Sequence, residues 1–188
     1  MSLNHHTQIV YLIRHATPDW ANRTIPYDTP PGPSLTEQGR QEARLLAAHM
    51  AGAGIRRIFT SEMARAHQTA ELLGQQLLLP VEIDPGLIEI PRGEGHDALE
   101  QRMLAFWQRR VLAEAPAGPI ALVSHGGPIE MLLRCIVQPP LDLQPYKQRF
   151  DHQNPLPPAG VWELMRRPDA SWQATLLFHP LAIEQVKV

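Results

Sequence analysis

Apolar residues in this chain gather into short unbroken runs that alternate with longer stretches of helical period. Ile9-Val10-Tyr11-Leu12-Ile13 is the first run, and apolar positions without alternation read as a strand buried on both faces. A polar, proline-rich loop follows from Pro18 to Pro33. Ser34-Leu35-Thr36-Glu37 then has the form of a capping box, and Ala43, Leu46, Ala47 and Met50 fall on one face of the helix it opens. Gly52 and Gly54 end that helix. Ile55 to Thr60 reads as a short strand, and Ser61 as the cap of a helix with Ala66, Ala70, Leu73 and Leu77 inward.

The second half repeats this grammar. Val81-Glu82-Ile83 is a weak strand, and Asp97-Ala98-Leu99-Glu100 opens a helix that turns Leu99, Met103 and Phe106 inward. Ile120 to Ser124 is a buried strand leading through His125-Gly126-Gly127 into a helix with Pro128 in its first turn. Ile129, Leu132, Leu133 and Ile136 form the stripe of that helix. Prolines through 138–160 predict mostly irregular chain, and Trp162 to Arg166 with Trp172 to Phe178 predict a terminal hairpin. Alternating strands and helices imply an α/β fold, a mostly parallel sheet covered on both faces, with the hairpin adding an antiparallel strand. Trp162 and Trp172 suit either core or interface. Residues 1–8 read as a frayed tail, and 9–188 as a single domain.

Composition narrows the function classes. A chain of 188 residues with 44% hydrophobic and 19% charged content is ordinary for a globular protein. The net charge of -2 recruits neither nucleic acid nor an anionic membrane, so any anion must be caught by a local cluster. No run approaches the ~20 apolar residues of a membrane span, and no signal-peptide core precedes the first strand. The single cysteine, Cys135, fits a reducing cytoplasm and lies in an apolar helical pattern. Metal binding is not expected, because the nine histidines show no ligand spacing such as His-x-x-x-His.

Three strands deliver the candidate chemistry. Arg14-His15 ends the first run, Arg65 follows Ile58-Phe59-Thr60 closely, and His125-Gly126-Gly127 ends the run at Ile120. Carboxyl ends of parallel strands are where open α/β sheets bind ligands. Two histidines and two arginines brought there suit a phosphate. Arginine forks match its oxygens, and the free N–H groups of a helix opening at Gly126 point toward an anion.

These residues resemble the histidine phosphatase superfamily, the phosphoglycerate mutase-like fold. Four blocks match in order: Leu12-Ile13-Arg14-His15 with Thr17 and Trp20; Leu35-Thr36-Glu37-Gln38-Gly39 with Gln41 and Ala43; Ser61 through Ala70; and Val123-Ser124-His125-Gly126-Gly127. The resemblance implies a three-layer α/β/α sandwich, a phosphohistidine intermediate, and no metal or other cofactor. It assigns His15 as nucleophile, Arg14 and Arg65 as phosphate ligands, and His125 as a second donor bracing the transferring group. Gly126 stands where the acid-phosphatase branch has aspartate, so the chain resembles the mutase-like branch, whose acid is a glutamate from an earlier loop. Leu87-Ile88-Glu89-Ile90-Pro91-Arg92-Gly93 resembles that block, and Glu89 is the expected acid, ahead of Glu94 and Asp97.

Some positions depart from the family pattern. Ala16 replaces the usual glycine, Pro18 stands where serine or threonine is common, and Ala21 stands where asparagine is usual. Thr17 and the neighbouring Asn22 are the expected substitutes as phosphate donors. Between Gly93 and the helix near Asp97 the chain is very short, where larger mutase-like relatives carry a covering insertion. Little cover lets water reach a phosphohistidine, so hydrolysis of a small phosphorylated metabolite is expected rather than mutase chemistry. A protein phosphohistidine substrate and a non-catalytic phospho-ligand role are the alternatives. The oligomeric state is open, a homodimer included.

Overall fold

The all-apolar run at Ile9 leaves no polar face for water, and it forms an interior strand of a six-stranded sheet. In the computed structural model the described residues are 8–22, 24–114, 117–150 and 153–180. Strands β1 (Ile9–Arg14), β2 (Arg57–Thr60), β3 (Val81–Ile83), β4 (Ile120–Ser124), β5 (Val161–Arg166) and β6 (Trp172–Phe178) lie in the order β3-β2-β4-β1-β5-β6. β1 to β4 are mutually parallel, whereas β5 runs antiparallel to β1 and β6 antiparallel to β5. The architecture expected from the alternation of elements is therefore present, hairpin included.

Alternate side chains of the strands feed two cores. On one face Tyr11, Ile13, Ile58, Ala121 and Val123 pack under α1 (Glu37–His49) and α2 (Ala64–Leu77) through Leu46, Ala47, Ala70 and Leu73. On the other face Val10, Leu12, Phe59, Ile120 and Leu122 pack under α3 (His96–Phe106) and α4 (Gly126–Ile136). Trp162 and Trp172 belong to this second core, and Trp172 meets Trp107 edge-on at 5.0 Å. Both tryptophans are therefore core residues. Truncating a fully buried residue such as Leu12 is expected to cost about 2–5 kcal/mol.

Several local readings change. α1 is capped by Thr36, whose hydroxyl accepts from the Gly39 N–H at 3.0 Å, while Ser34 accepts from the Gln68 side chain. α3 starts at His96 behind Gly95, and a wider π-type turn, Trp107–Ala113, continues it. The proline-rich stretch contains a short helix, α5 (Gln144–Arg149), that proline content had hidden. Pro145 lies in its first turn, where a missing N–H costs nothing. Residues 1–7 of the expected tail lie outside the described residues. Gln8 does not fray: its side chain donates to Val111 O at 2.7 Å and its carbonyl accepts from Arg166 N at 2.9 Å.

Candidate active site

β1 and β4 are neighbours in register, with Arg14 opposite Ser124, so the residues that follow them emerge side by side. The His15 N–H donates to Ser124 O at 2.9 Å, and the rings of His15 and His125 lie 5.1 Å apart between centroids. β2 lies on the other side of β4, and its end places Ser61 and then the first turn of α2 beside His125. The 109 residues between the two histidines in sequence are thus bridged by the parallel register of β1 and β4.

The environment of His15 fixes its tautomer. Nδ1 lies 2.8 Å from Ala16 O, and because a carbonyl only accepts, Nδ1 carries the proton. Nε2 is left with its lone pair, and the Nε–H of Arg65 donates to it at 3.3 Å. His15 is 1% exposed. Burial first, then the charges of Arg65 and Arg14, hold its pKa well below the ordinary histidine range. The outcome is a neutral imidazole whose Nε2 is unprotonated and keeps its lone pair, the form required of a nucleophile.

Arg65 is wholly buried and each end of its guanidinium is engaged. Nη1 donates to Tyr27 O at 2.9 Å, Nη2 lies 3.5 Å from Glu89 Oε2, and the Tyr27 ring stacks on the guanidinium at 3.9 Å. Arg14 is anchored from β1 by donating to Leu156 O at 2.6 Å. Thr69 braces the turn after His15, accepting from Ala16 N at 3.1 Å and donating to Arg65 O at 2.7 Å. One threonine of α2 thereby ties the loop after His15 to the arginine.

Glu89 reaches the site from the far side of the sheet. Its segment is pinned by the Ser124 hydroxyl, which donates to Leu87 O at 2.7 Å, and by Arg102, which donates to Gly86 O and Ile88 O. Oε2 of Glu89 lies 3.6 Å from His125 Nδ1. His125 is fully buried, and burial, with His15, Arg65 and Arg14 behind it in order of effect, pushes its pKa well down. The rivals lie elsewhere. Glu94 is locked to Arg102 by a pair of bonds at 2.6 and 2.8 Å, and the Asp97 side chain is 97% exposed.

A cavity of about 500 Å3 opens against this cluster. Arg14, His15, Glu89, Gly126 and Gly127 line it together with Trp20, Tyr27, Ile90, Gln153, Asn154 and Pro158. Arg65 and His125 stand behind that lining. A Cβ at Gly126 would collide with Asn154 Oδ1, so this glycine admits the amide of a neighbouring side chain.

Two expected donors are spent on other contacts. Thr17 donates its hydroxyl to Glu42 Oε1 at 2.9 Å and its N–H to Glu42 Oε2 at 2.8 Å. Asn22 is exposed and accepts from Thr24 N and Thr24 Oγ1. Asn154, Gln153 and Tyr27 line the cavity instead, carried by proline-rich loops whose course no periodicity reveals. Ser61 does not cap α2, whose N-cap is Met63, and its hydroxyl lies against His125. Beside Arg65 on α2, His67 Nδ1 lies 3.9 Å from Glu71 Oε2.

His15, Glu89 and His125 each offer a metal-ligand atom, and among the described residues these lie within 4.8 Å of one another. No sequence spacing foretells that triad, because its members come from three separate strand connections. The Arg65 guanidinium, at 3.3 and 3.5 Å from two of the three, places a fixed positive charge where a cation would sit.

Comparison with known proteins agrees with this geometry. The sequence profile of the histidine phosphatase superfamily (branch 1) matches residues 10–94 and 89–154. "Probable phosphoglycerate mutase GpmB" of Cronobacter sakazakii is 31% identical over 179 residues, covering 74% of this chain and 78% of that one. Its namesake in Yersinia enterocolitica is 32% identical at the same coverage. Among solved structures, phosphoglycerate mutase from Bacillus anthracis aligns at TM-score 0.71 and 15% identity, over 91% of this chain and 92% of that one. A mycobacterial glucosyl-3-phosphoglycerate phosphatase aligns at TM-score 0.65 and 20% identity, over 90% and 98%. With the histidines, arginines and glutamate gathered at these strand ends, the chain belongs to the histidine phosphatase superfamily, branch 1, as an enzyme of the phosphatase or phosphoglycerate mutase type.

Proposed function

We propose that this chain hydrolyses the phosphomonoester of a small metabolite, without a metal, through a phosphohistidine on His15. The observation carrying the proposal is the neutral His15 whose Nε2 lone pair faces the Arg65 guanidinium at 3.3 Å. Nε2 attacks phosphorus as the ester P–O bond breaks, and Glu89 gives its proton to the departing alkoxide. Water then attacks the N-bound phosphorus, Glu89 takes the water's proton, and cleavage of the N–P bond returns the lone pair to Nε2. Arg14 and Arg65 carry the charge that a metal supplies in kinases and ATPases.

Two features favour a small substrate and hydrolysis. The nucleophile is almost fully buried against a cavity of small-molecule size, a poor arrangement for a phosphohistidine held on a protein surface. The chain passes from the Glu89 segment into α3 through Gly93–Gly95, and Trp20 in the cavity lining is 53% exposed, so the described residues give the cavity slight cover. The single cysteine fits a cytoplasmic setting.

The test is ³¹P NMR of purified protein with EDTA and a panel of phosphorylated metabolites, 3-phosphoglycerate included. Release of inorganic phosphate in EDTA supports the reading. Phosphoryl migration on phosphoglycerate without net release makes the chain a mutase, and turnover only on a phosphohistidine protein selects the protein substrate.

A further inference from the structure

Ser61 has a task that its place before α2 does not suggest. Its side chain is fully buried, and among the described residues its Oγ touches two polar groups: the Met63 N–H at 3.2 Å and His125 Nε2 at 2.9 Å. The Met63 amide can only donate, so it takes a lone pair of the hydroxyl. The serine's own proton then has His125 Nε2 as its acceptor, and a buried hydroxyl without an acceptor is costly. An acceptor Nε2 in a neutral imidazole means that the ring proton is on Nδ1.

The other side of the ring leads to the same assignment. Nδ1 of His125 is buried, has no hydrogen-bond partner among the described residues, and lies 3.6 Å from Glu89 Oε2, an oxygen that a lone pair would oppose and an N–H would suit. We infer that Ser61 is a positioning residue that sets the tautomer of His125, so that a neutral Nδ1–H faces the transferring phosphoryl group. The two histidines are then held in opposite senses by their outer contacts. Ala16 O turns a bare Nε2 of His15 toward the site, and the Ser61 hydroxyl turns a protonated Nδ1 of His125 toward it. β2 and β4 supply the pair in register, since Thr60 lies opposite Val123 and the Ser61 N–H donates to Val123 O at 3.2 Å. A donor fixed before substrate arrives needs no reorganisation as charge builds on the phosphoryl oxygens.

This inference rests on the phosphoryl-transfer reading for its purpose, but its first test needs no substrate. Ring ¹H–¹⁵N correlation NMR at pH 7.5, with the His125 signals assigned by their loss in His125→Gln, reports which nitrogen bears the proton. The expected wild-type pattern is the Nδ1–H tautomer. An Nε2–H pattern in the wild type overturns the inference even if phosphoesters are hydrolysed, and even if Ser61→Ala fails to fold. Ser61→Ala is expected to mix the tautomers and to lower kcat by at least ~10-fold with little change in KM, while Ser61→Thr, which keeps the hydroxyl, restores both. Retention of a pure Nδ1–H tautomer, or of full kcat, in folded Ser61→Ala also overturns it.

Discussion

The Nε–H of Arg65 donates to Nε2 of His15 at 3.3 Å, a cation bonded to the lone pair of the proposed nucleophile. This contact does two things. It keeps a proton off Nε2, since a protonated nitrogen would face the guanidinium as a second donor. In the proposed reaction it would also place the arginine beside the phosphorus bonding to Nε2, so that one guanidinium would guard the resting imidazole and then meet the transferred phosphoryl oxygens.

Arg65→Lys keeps the charge and loses the planar fork that reaches His15, Tyr27 and Glu89 together. We expect kcat/KM to fall by roughly 10²–10³-fold with the fold retained. Stopped-flow phosphate release with a melting curve on the same sample checks this. Near-wild-type turnover would remove Arg65 from the account.

Glu89→Gln is expected to slow alkyl esters by roughly 10²–10⁴-fold, the usual worth of a positioned general acid. Nitrophenyl phosphate, whose leaving group needs no proton, should lose far less. Steady-state rates on the two esters make the comparison, and equal losses would assign the proton to another group.

Gly126→Ala tests the close approach of Asn154. Because a methyl there meets the amide oxygen, the Asn154 side chain must shift. Both Tm and kcat/KM should drop, the latter by about 10-fold, given that misplacements of about an ångström cost up to 10² in rate. Unchanged values would show that the amide is free to rotate away without consequence.

Acid should weaken the fold through its buried histidines. Burial foremost depresses the folded pKa values of His15, His125 and His179 below the unfolded value of about 6.5. Above pH 6.5 both folded and unfolded states are neutral and stability is complete. As pH falls below it, the unfolded chain takes up protons that the folded chain refuses, and stability declines toward the lower folded pKa values. Each histidine can cost up to about tenfold in the folding constant per pH unit over that window. Urea midpoints at pH 7.5, 6.5 and 5.5 should fall below 6.5, less steeply in His125→Gln. A flat profile in the wild type would contradict the burial argument.

The sheet was readable because β1 and β4 are buried on both faces and so carry no polar interruption, and Arg14, His15 and His125 were readable because they end those runs. Glu89 emerged through its block resemblance, and its pins on Ser124 and Arg102 are tertiary. What sequence obscured was the use of side chains that have several possible partners. Thr17 carries a hydroxyl of the right type beside His15, but Glu42, one helix away, claims it. Asn154 entered the cavity on an irregular loop, and α5 was hidden because proline reads as a breaker unless its first-turn position is known. Ser61 had the look of a cap because serine before a helix usually is one, whereas β2 and β4 in register give it a histidine instead.

The covalent intermediate is the most direct test. Rapid quench of wild-type protein with ³²P-labelled substrate in EDTA, followed by peptide mapping, should recover alkali-stable, acid-labile phosphate on His15, attached at Nε2 and lost in His15→Ala together with turnover. Label on any other residue, or substantial turnover in His15→Ala, would contradict the account.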